Sequence, residues 1–234
     1  MIDFHSHILP QLDDGSHSIA ESLSMLSSLK NQGVCVVVAT PHYKGECSID
    51  EFLQKRVESY NKLRCAMEES GEQYPEILLG AEVAVENTVL DMSEISKLCI
   101  EGTNCLLVEM PNEHWISWLF DAMYTLSAKQ RLRLIIAHVD RYYSLFPGKR
   151  SNNANIDKLI AMRYIFQINL PSLKSWRAKK LLKRLVEHNA DVLFGSDCHN
   201  MDDRSPVVSG PVTYIEKKYG KNFLNNTIIN KDKK

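Results

Sequence analysis

A parallel α/β architecture, either a barrel or a doubly wound sheet, is the fold class that this 234-residue sequence predicts. Three observations predict it. Short apolar, β-branched runs alternate seven times with stretches of helical spacing, a rhythm that calls for parallel strands joined by crossovers. The runs are apolar throughout rather than at every second residue, as expected of strands covered on both faces. Imidazoles and carboxylates recur where these runs end, the edge at which parallel α/β folds place their chemistry.

The strand-like runs lie at 1–5 (MIDFH), 34–40 (VCVVVAT), 77–82 (ILLGAE), 104–109 (NCLLVE), 132–138 (LRLIIAH), 164–169 (YIFQIN) and 191–197 (DVLFGSD). After Asp14-Gly15-Ser16 a helix is expected from about 18 to 31, with Leu23, Leu26 and Leu29 on one face and Gly33 as its stop. Further helices are expected at about 49–70, 88–100, 113–129, 155–162, 175–188 and 207–220. The first run leads into His-Ser-His and not into a G-x-G-x-x-G turn, which argues against dinucleotide and P-loop folds.

Composition narrows the classes further. The length suits one domain over 1–234, and the end, about 226–234, is expected to fray. Twenty-eight Lys and Arg against 29 Asp and Glu leave a net charge of −1, so no global field draws the chain to nucleic acid or an acidic membrane. No basic segment followed by an apolar run opens the sequence, and no stretch reaches ~18 apolar residues, so neither secretion nor membrane embedding is predicted. The six cysteines are scattered without a C-x-x-C pair, which fits a reducing, cytoplasmic setting. The basic stretch RAKKLLKR at 177–184 partitions as an ordinary amphipathic helix and does not point to nucleic acid.

The residues at the run ends carry the function. Run one ends in His5 and His7, run two in His42, run three in Glu82, run four in Glu109, run five in His138 and run seven in Asp197 and His199; Asp14 follows run one. Run six, ending in Asn169, alone brings no acid or imidazole. Of eight histidines, five share this edge, while His17, His114 and His188 fall in helical segments and read as surface or capping residues. A single strand-end histidine is usually just a satisfied polar group. Nine such groups at one edge would be a costly cluster unless a divalent metal paired them. His5 and His7, two apart on an extended strand, share a face and form a clamp. Nitrogen and oxygen donors without thiolate suit Mn, Fe or Zn. Five histidines and four carboxylates could serve three ions only by sharing carboxylates and leaving positions to water, which implies catalysis. Three divalent ions against four carboxylates leave the cluster at about +2, so it should attract an anion. Arg141 and Arg204 stand close enough in sequence to reach over the same mouth with forks suited to phosphate oxygens.

At these residues the sequence resembles the polymerase-and-histidinol-phosphatase (PHP) family, most closely its bacterial manganese-dependent protein-tyrosine phosphatase branch associated with capsular and exopolysaccharide synthesis. The motifs are DFHSHILP at 3–10, DDG at 13–15, TPHY at 40–43, GAE at 80–82, LVEM at 107–110, AHVDRY at 137–142 and GSDCHN at 195–200. The resemblance implies a distorted (β/α)7 barrel, TIM-like, holding three metal ions, manganese first among them. It implies a first site of His5, His7, Glu82 and Asp197, with Glu82 bridging to a second that adds Glu109 and His138, and a third of Asp14, His42 and His199. Arg141 takes the place of the arginine that grips phosphate, and Arg204 that of a second contact. Where such enzymes commonly show A-H-P-E-R, this chain has Val139 and Asp140 between His138 and Arg141. Loss of that proline is expected to alter loop stiffness and the reach of Arg141.

These readings predict hydrolysis of a phosphomonoester by metal-bound hydroxide. The family analogy points to phosphotyrosine on an autophosphorylated bacterial tyrosine kinase with a flexible tail, leaves oligomerisation open, and makes Trp115, Trp118, Tyr142 and Tyr143 candidates to pack against substrate. A small-molecule phosphatase of histidinol-phosphate type, a PHP nuclease and a non-catalytic metal-stabilised binding module are the competing readings. Cys198 and Arg204-Ser205 match the C-x5-R-S spacing of cysteine-dependent phosphatases, but Asp202 and Asp203 charge the intervening loop negatively and it holds no Gly. Cys198 is therefore expected to fill space and not to attack.

Overall fold

A computed structural model of the chain describes residues 1–85, 94–113, 115–146, 148 and 151–224. The segment expected to fray, about 226–234, lies outside these residues, as does His114. Nine strands are present among them: β1 (Ile2–Ser6), β2 (Val36–Ala39), β3 (His42–Tyr43), β4 (Glu76–Leu79), β5 (Glu82–Ala84), β6 (Cys105–Glu109), β7 (Arg133–Ile136), β8 (Ile165–Asn169) and β9 (Val192–Gly195). Helices α1 (Ile19–Asn31), α2 (Ile49–Ser70), α3 (Ser117–Tyr124), the one-turn α4 (Val139–Tyr142), α5 (Asn153–Ala161), α6 (Trp176–Glu187) and α7 (Ser209–Tyr219) lie between or after them.

Every strand pairing is parallel, as the seven-fold alternation predicts. The hydrogen bonds form a three-stranded sheet, β1-β2-β4, and a six-stranded sheet, β3-β5-β6-β7-β8-β9. The chain thus passes from the first sheet to the second at two points, at Thr40-Pro41, where the second predicted run ends, and at Gly80-Ala81, inside the third. Pro41 has no N–H to continue a ladder, and a Cβ added at Gly80 would stand 3.4 Å from side-chain carbons of Thr40, Val38 and Ile100. The sheets also meet where β1 runs beside the chain leaving β9: Asp197 N–H donates to His5 O at 2.8 Å and His7 N–H to Cys198 O at 2.9 Å.

Burial on both faces explains the unbroken apolar runs. Phe4, Val38, Leu107, Ile135, Ile165 and Leu193 belong to one apolar cluster. Their chain neighbours Val37, Leu106, Val108, Leu134, Ile136, Phe166 and Phe194 pack in a second, larger one with Leu26, Leu29, Leu119, Leu159 and Leu182 of the helices. The register of β1 against β2 slips between Asp3 and Ser6. Across this bulge Phe4 joins the smaller cluster while His5 and His7 reach the strand ends, the sort of re-aiming that bulges bring about.

The helices follow local rules. The Glu21 carboxylate accepts the His17 N–H, and Ser18 caps α1 by accepting the Glu21 N–H. Ser48 caps α2 in the same way, and Gly71, with φ +67°, ends it. The helix expected over 113–129 starts later, at Ser117. Trp115 spends its backbone N–H on Asn152 and its indole N–H on Pro111 O, so the segment before Ser117 is fixed by side-chain contacts instead of helical bonds. Over 88–100 the described part holds a single 3-10 turn, Ile95–Leu98. The basic stretch 177–184 lies in α6, which buries Ala178, Leu181, Leu182 and Leu185 and turns its cations outward, as expected of an amphipathic helix. Among the described residues, no helix is long and apolar enough to cross a membrane, and all six cysteines are free.

Candidate metal centre

All nine candidate ligands gather in one cluster, most of them at or just past the carboxyl end of a strand, with His42 and Glu82 opening the short strands β3 and β5. Glu82, at the start of β5 and 1 % exposed, is the hub. Its Oε2 lies 3.1 Å from His5 Nε2, 3.3 Å from His7 Nε2 and 3.2 Å from His42 Nδ1, and its Oε1 lies 2.8 Å from His138 Nε2. Glu109, at the end of β6, faces His138 Nε2 at 3.5 Å and His42 Nδ1 at 3.9 Å. Asp197 Oδ1 stands 3.5 Å from His5 Nε2 and 3.6 Å from His7 Nε2. On the outer side Asp14 Oδ1 approaches His42 Nε2 at 3.3 Å and His199 Nε2 at 3.6 Å.

Three overlapping donor groups result: His5, His7 and Glu82; His42, Glu82 and Glu109; and His7, Asp14, His42 and His199, each with its ligand atoms within 4.8 Å of one another. The donors fit cations better than they fit each other. His5 Nε2 and His7 Nε2 face one another at 3.1 Å. The buried nitrogens His42 Nδ1 and His199 Nε2 have no hydrogen-bond partner among the described residues. Leaving such atoms unpaired is expensive, and a cation is the partner that satisfies imidazoles and carboxylates together.

Hydrogen bonds behind the ligands fix which ring nitrogens face inward. Gln167 Oε1 accepts the His138 backbone N–H at 2.6 Å, so the oxygen is identified, and His5 Nδ1, 3.1 Å from the same atom, must carry the proton. That leaves His5 Nε2 with its lone pair toward the cluster. Asp13 does the same for His7, accepting from Nδ1 at 2.7 Å; it also accepts the His42 N–H at 2.9 Å and the Gly15 N–H at 3.0 Å. Asn169 donates to Asp197 Oδ2 at 2.8 Å and its own Oδ1 accepts from Gln167 Nε2 at 2.9 Å. These three orienting residues are absent from the ligand set read out of the sequence. The sixth run, without acid or imidazole, supplies two neutral amides instead. The available signal was Gln167, a polar residue inside an apolar run.

Burial alone would lower the His7 imidazole, but its bonds to Asp13 and Glu82 override that and raise it to about 10. His138 is raised to about 9 in the same way, Glu109 and Glu82 outweighing burial. Against burial, the surrounding histidines hold Glu82 well below the usual carboxylate range; His5 and Arg141 do the same for Asp197. Two backbone positions are under strain: His138 at φ +30° and Asp197 at φ +53°. Two glycines are there because nothing larger fits. A Cβ on Gly15 would stand 2.3 Å from His7 O, and one on Gly195 2.5 Å from His5 Cβ.

Both arginines reach this mouth and converge on one carboxylate. Arg141 Nη2 pairs with Asp197 Oδ2, and Arg204 Nη2 with Asp197 Oδ1 at 3.2 Å; Arg204 Nη1 also approaches Asp14 Oδ2 at 3.4 Å. The departure at Val139-Asp140 does not keep Arg141 away. Asp140 is buried and accepts the Asn169 N–H at 3.0 Å, which anchors α4 to the end of β8 where a proline would otherwise have stiffened the loop. Of the aromatic candidates, Trp115, Tyr142 and Tyr143 are buried, with Trp115 edge-on to Tyr142, and Trp118 is half-buried. His17 and His188 are exposed, and His188 ends α6 against Arg184 O, in the surface and capping roles expected. Cys198 is fully buried, and burial pushes its thiol above the ordinary value, so no thiolate nucleophile stands at the surface of this site.

A parallel α/β scaffold that presents clustered histidines, shared carboxylates and two arginines at its strand ends defines a metal-dependent hydrolase of the PHP-like kind. The chain belongs to the capsular polysaccharide synthesis CpsB/CapC family, whose model matches residues 1–234. It is 29 % identical over 227 residues to the tyrosine-protein phosphatase YwqE of Bacillus subtilis (strain 168), covering 94 % of this chain and 85 % of that protein. It is 29 % identical over 241 residues to the tyrosine-protein phosphatase CpsB of Streptococcus agalactiae serotype III (strain NEM316), covering 98 % and 95 %. A solved structure from work on YwqE of Bacillus subtilis and CpsB of Streptococcus pneumoniae, described as unique metal-dependent tyrosine phosphatases, superposes with a TM-score of 0.77. It is 25 % identical and covers 95 % of this chain and 89 % of its own.

Proposed function

We propose that this chain is a metal-dependent protein-tyrosine phosphatase, folded as one domain, that acts in the cytoplasm on a phosphotyrosine-bearing bacterial tyrosine kinase in the control of capsule or exopolysaccharide synthesis. The observation that carries the reading is that nine ligand-type side chains, with Glu82 at their centre, meet in one place, and that Arg141 and Arg204 both pair with Asp197 among them. His5, His7, Glu82 and Asp197 would hold one ion, Glu82, Glu109 and His138 a second, and Asp14, His42 and His199 a third, with manganese the best match to this donor set. His7 also lies within reach of the third group.

Divalent ions bound there would lower the pKa of a water toward ~7 and neutralise phosphoryl oxygens. The chain's own residues do the rest. Gln167 and Asp13 hold protons on His5 Nδ1 and His7 Nδ1 and so keep both Nε2 atoms turned inward. Asn169 holds Asp197 in place from the side opposite the histidines. Arg141 and Arg204 exchange Asp197 for the substrate's phosphoryl oxygens and stabilise the charge that builds as the P–O bond breaks. The departing tyrosine phenolate, with a conjugate acid of pKa about 10, needs little help to leave.

The test is phosphate release from a phosphotyrosyl peptide, histidinol phosphate and a short oligonucleotide, with chelator and then with added manganese. The expected result is activity on the peptide above the other two, abolished by chelation, restored by manganese and lowered on the order of 100-fold or more by Arg141→Ala. Full activity in metal-free enzyme, or equal rates on all three substrates, overturns the reading.

A further inference from the structure

Beside the metal mouth lies a surface cleft of about 570 Å3, within the ~300–1,000 Å3 range of ligand-binding clefts. Asn112, Tyr143, Phe146 and Ser151 line it between two guanidinium groups, Arg141 and Arg177. Arg141 is shared: it lines the cleft and pairs with Asp197 in the candidate metal site. Arg177, from the first turn of α6, marks the other cationic point.

Three features make this cleft a receptor for negative charge. None of its described lining side chains is acidic, so the charge of Arg177 meets no carboxylate in the cleft, whereas Arg141 is already paired with Asp197. Arg177 is half-buried yet forms no hydrogen bond or ion pair with any described residue, unlike Arg184 two turns along the same helix, which is held bidentately by Asp157. An arginine without a partner among the described residues keeps its planar fork free for a carboxylate or phosphate. Phe146, 89 % exposed, and the buried edge of Tyr143 add apolar surface that a free inorganic anion would not need.

We propose that this cleft is a substrate subsite that binds an acidic side chain, Asp, Glu or a second phosphotyrosine, flanking the phosphotyrosine under hydrolysis, with Arg177 as the specificity-determining contact. The proposal rests on the phosphatase reading above and sharpens it: the substrate is a peptide segment in which negative charge clusters around the scissile phosphate. Arg141 joins the two sites, so the chain of a substrate whose phosphoryl group it grips is delivered to the cleft's near end.

The experiment uses manganese-loaded enzyme and phosphotyrosyl peptides of one length, with flanking positions all Glu, all Gln or all Lys. For the native protein, kcat/KM for the Glu peptide should exceed that for the Gln peptide roughly fivefold or more, the effect of one partly buried ion pair. Arg177→Ala should bring the ratio toward one, and Arg177→Glu should reverse it in favour of the Lys peptide, while Tm shows that both variants fold. The Gln peptide is the internal reference. If all three peptides are hydrolysed and the Glu-to-Gln ratio is one, or is the same in Arg177→Glu as in the native enzyme, the subsite is refuted and the phosphatase reading stands. If none is hydrolysed with metal present, the phosphatase reading falls and takes the subsite with it.

Discussion

The two ends of the strand layer carry the same backbone anomaly under opposite conditions. Before β7, β8 and β9, Arg131, Arg163 and Asn189 hold left-handed φ values of +57°, +58° and +52°, and all three are exposed. After β7 and β9, His138 and Asp197 hold φ values of +30° and +53°, and both are buried. At the first end the conformation turns the chain from helix to strand, costs about 1–2 kcal/mol per residue, and asks nothing of the side chain. At the second it aims a ligand. The His138 N–H is pinned to Gln167 Oε1 and the Asp197 N–H to His5 O. A left-handed residue therefore signals function here only where buried polar partners hold it.

Substitution at the two ends should break them apart most visibly. Asp197→Ala is expected to lower manganese-supported phosphate release more than ~100-fold, beyond the range for groups that only orient a ligand. Arg131→Gly, at the other end, should leave that rate unchanged and move stability by no more than about 1 kcal/mol, measured by denaturant titration, because relieved backbone strain is offset by a freer unfolded chain. Equal damage from both would erase the distinction.

A smaller effect is expected one step behind the ligands. Asp13→Asn keeps the size of the side chain but removes the charge that fixes the His7 tautomer, so calorimetric titration should show manganese binding ~10–100-fold weaker. Unchanged affinity would mean that Asp13 serves only the turn at Gly15.

The smallest test is made by pH on the metal-stripped protein. His7 and His138 titrate near 10 and 9 in the folded chain, above the ordinary histidine value. Their contribution to stability is therefore complete below about pH 6.5 and is lost as pH rises through 9 to 10, by up to ~1.4 kcal/mol per pH unit for each proton. Glu82 and Asp197 are shifted downward, so theirs is present above the usual carboxylate range and fades on acidification. Melting curves from pH 6 to 10 should fall for stripped protein and flatten when manganese replaces the protons. A flat stripped profile would sink this account.

How far the sequence reached can be judged residue by residue. The parallel strands, the helix over 49–70 and the shared edge of the nine candidate ligands were legible because each rests on a local signal: an apolar run, a capping serine, a histidine or carboxylate where a run stops. Asp13 was hidden beside Asp14, since two adjacent aspartates look alike until the fold shows that one is buried against His7 and the other is exposed at the mouth. The crossings between sheets at Pro41 and Gly80 were also missed, because a run of apolar residues does not record which sheet its continuation joins.

Composition and order by themselves determined the kind of chemistry: which side chains could bind cations, that thiolates were not among them, and which edge of the layer they would share. Tertiary structure alone decided that Glu82 is the hub, that Asp13 and Gln167 set the protons of His7 and His5 while Asn169 holds Asp197, and that Arg141 both pairs with Asp197 and lines the cleft that Arg177 shares. The physical reason is distance along the chain. A hydrogen bond between Gln167 and His5 joins residues 162 positions apart, and no periodicity or motif encodes a contact that only packing creates.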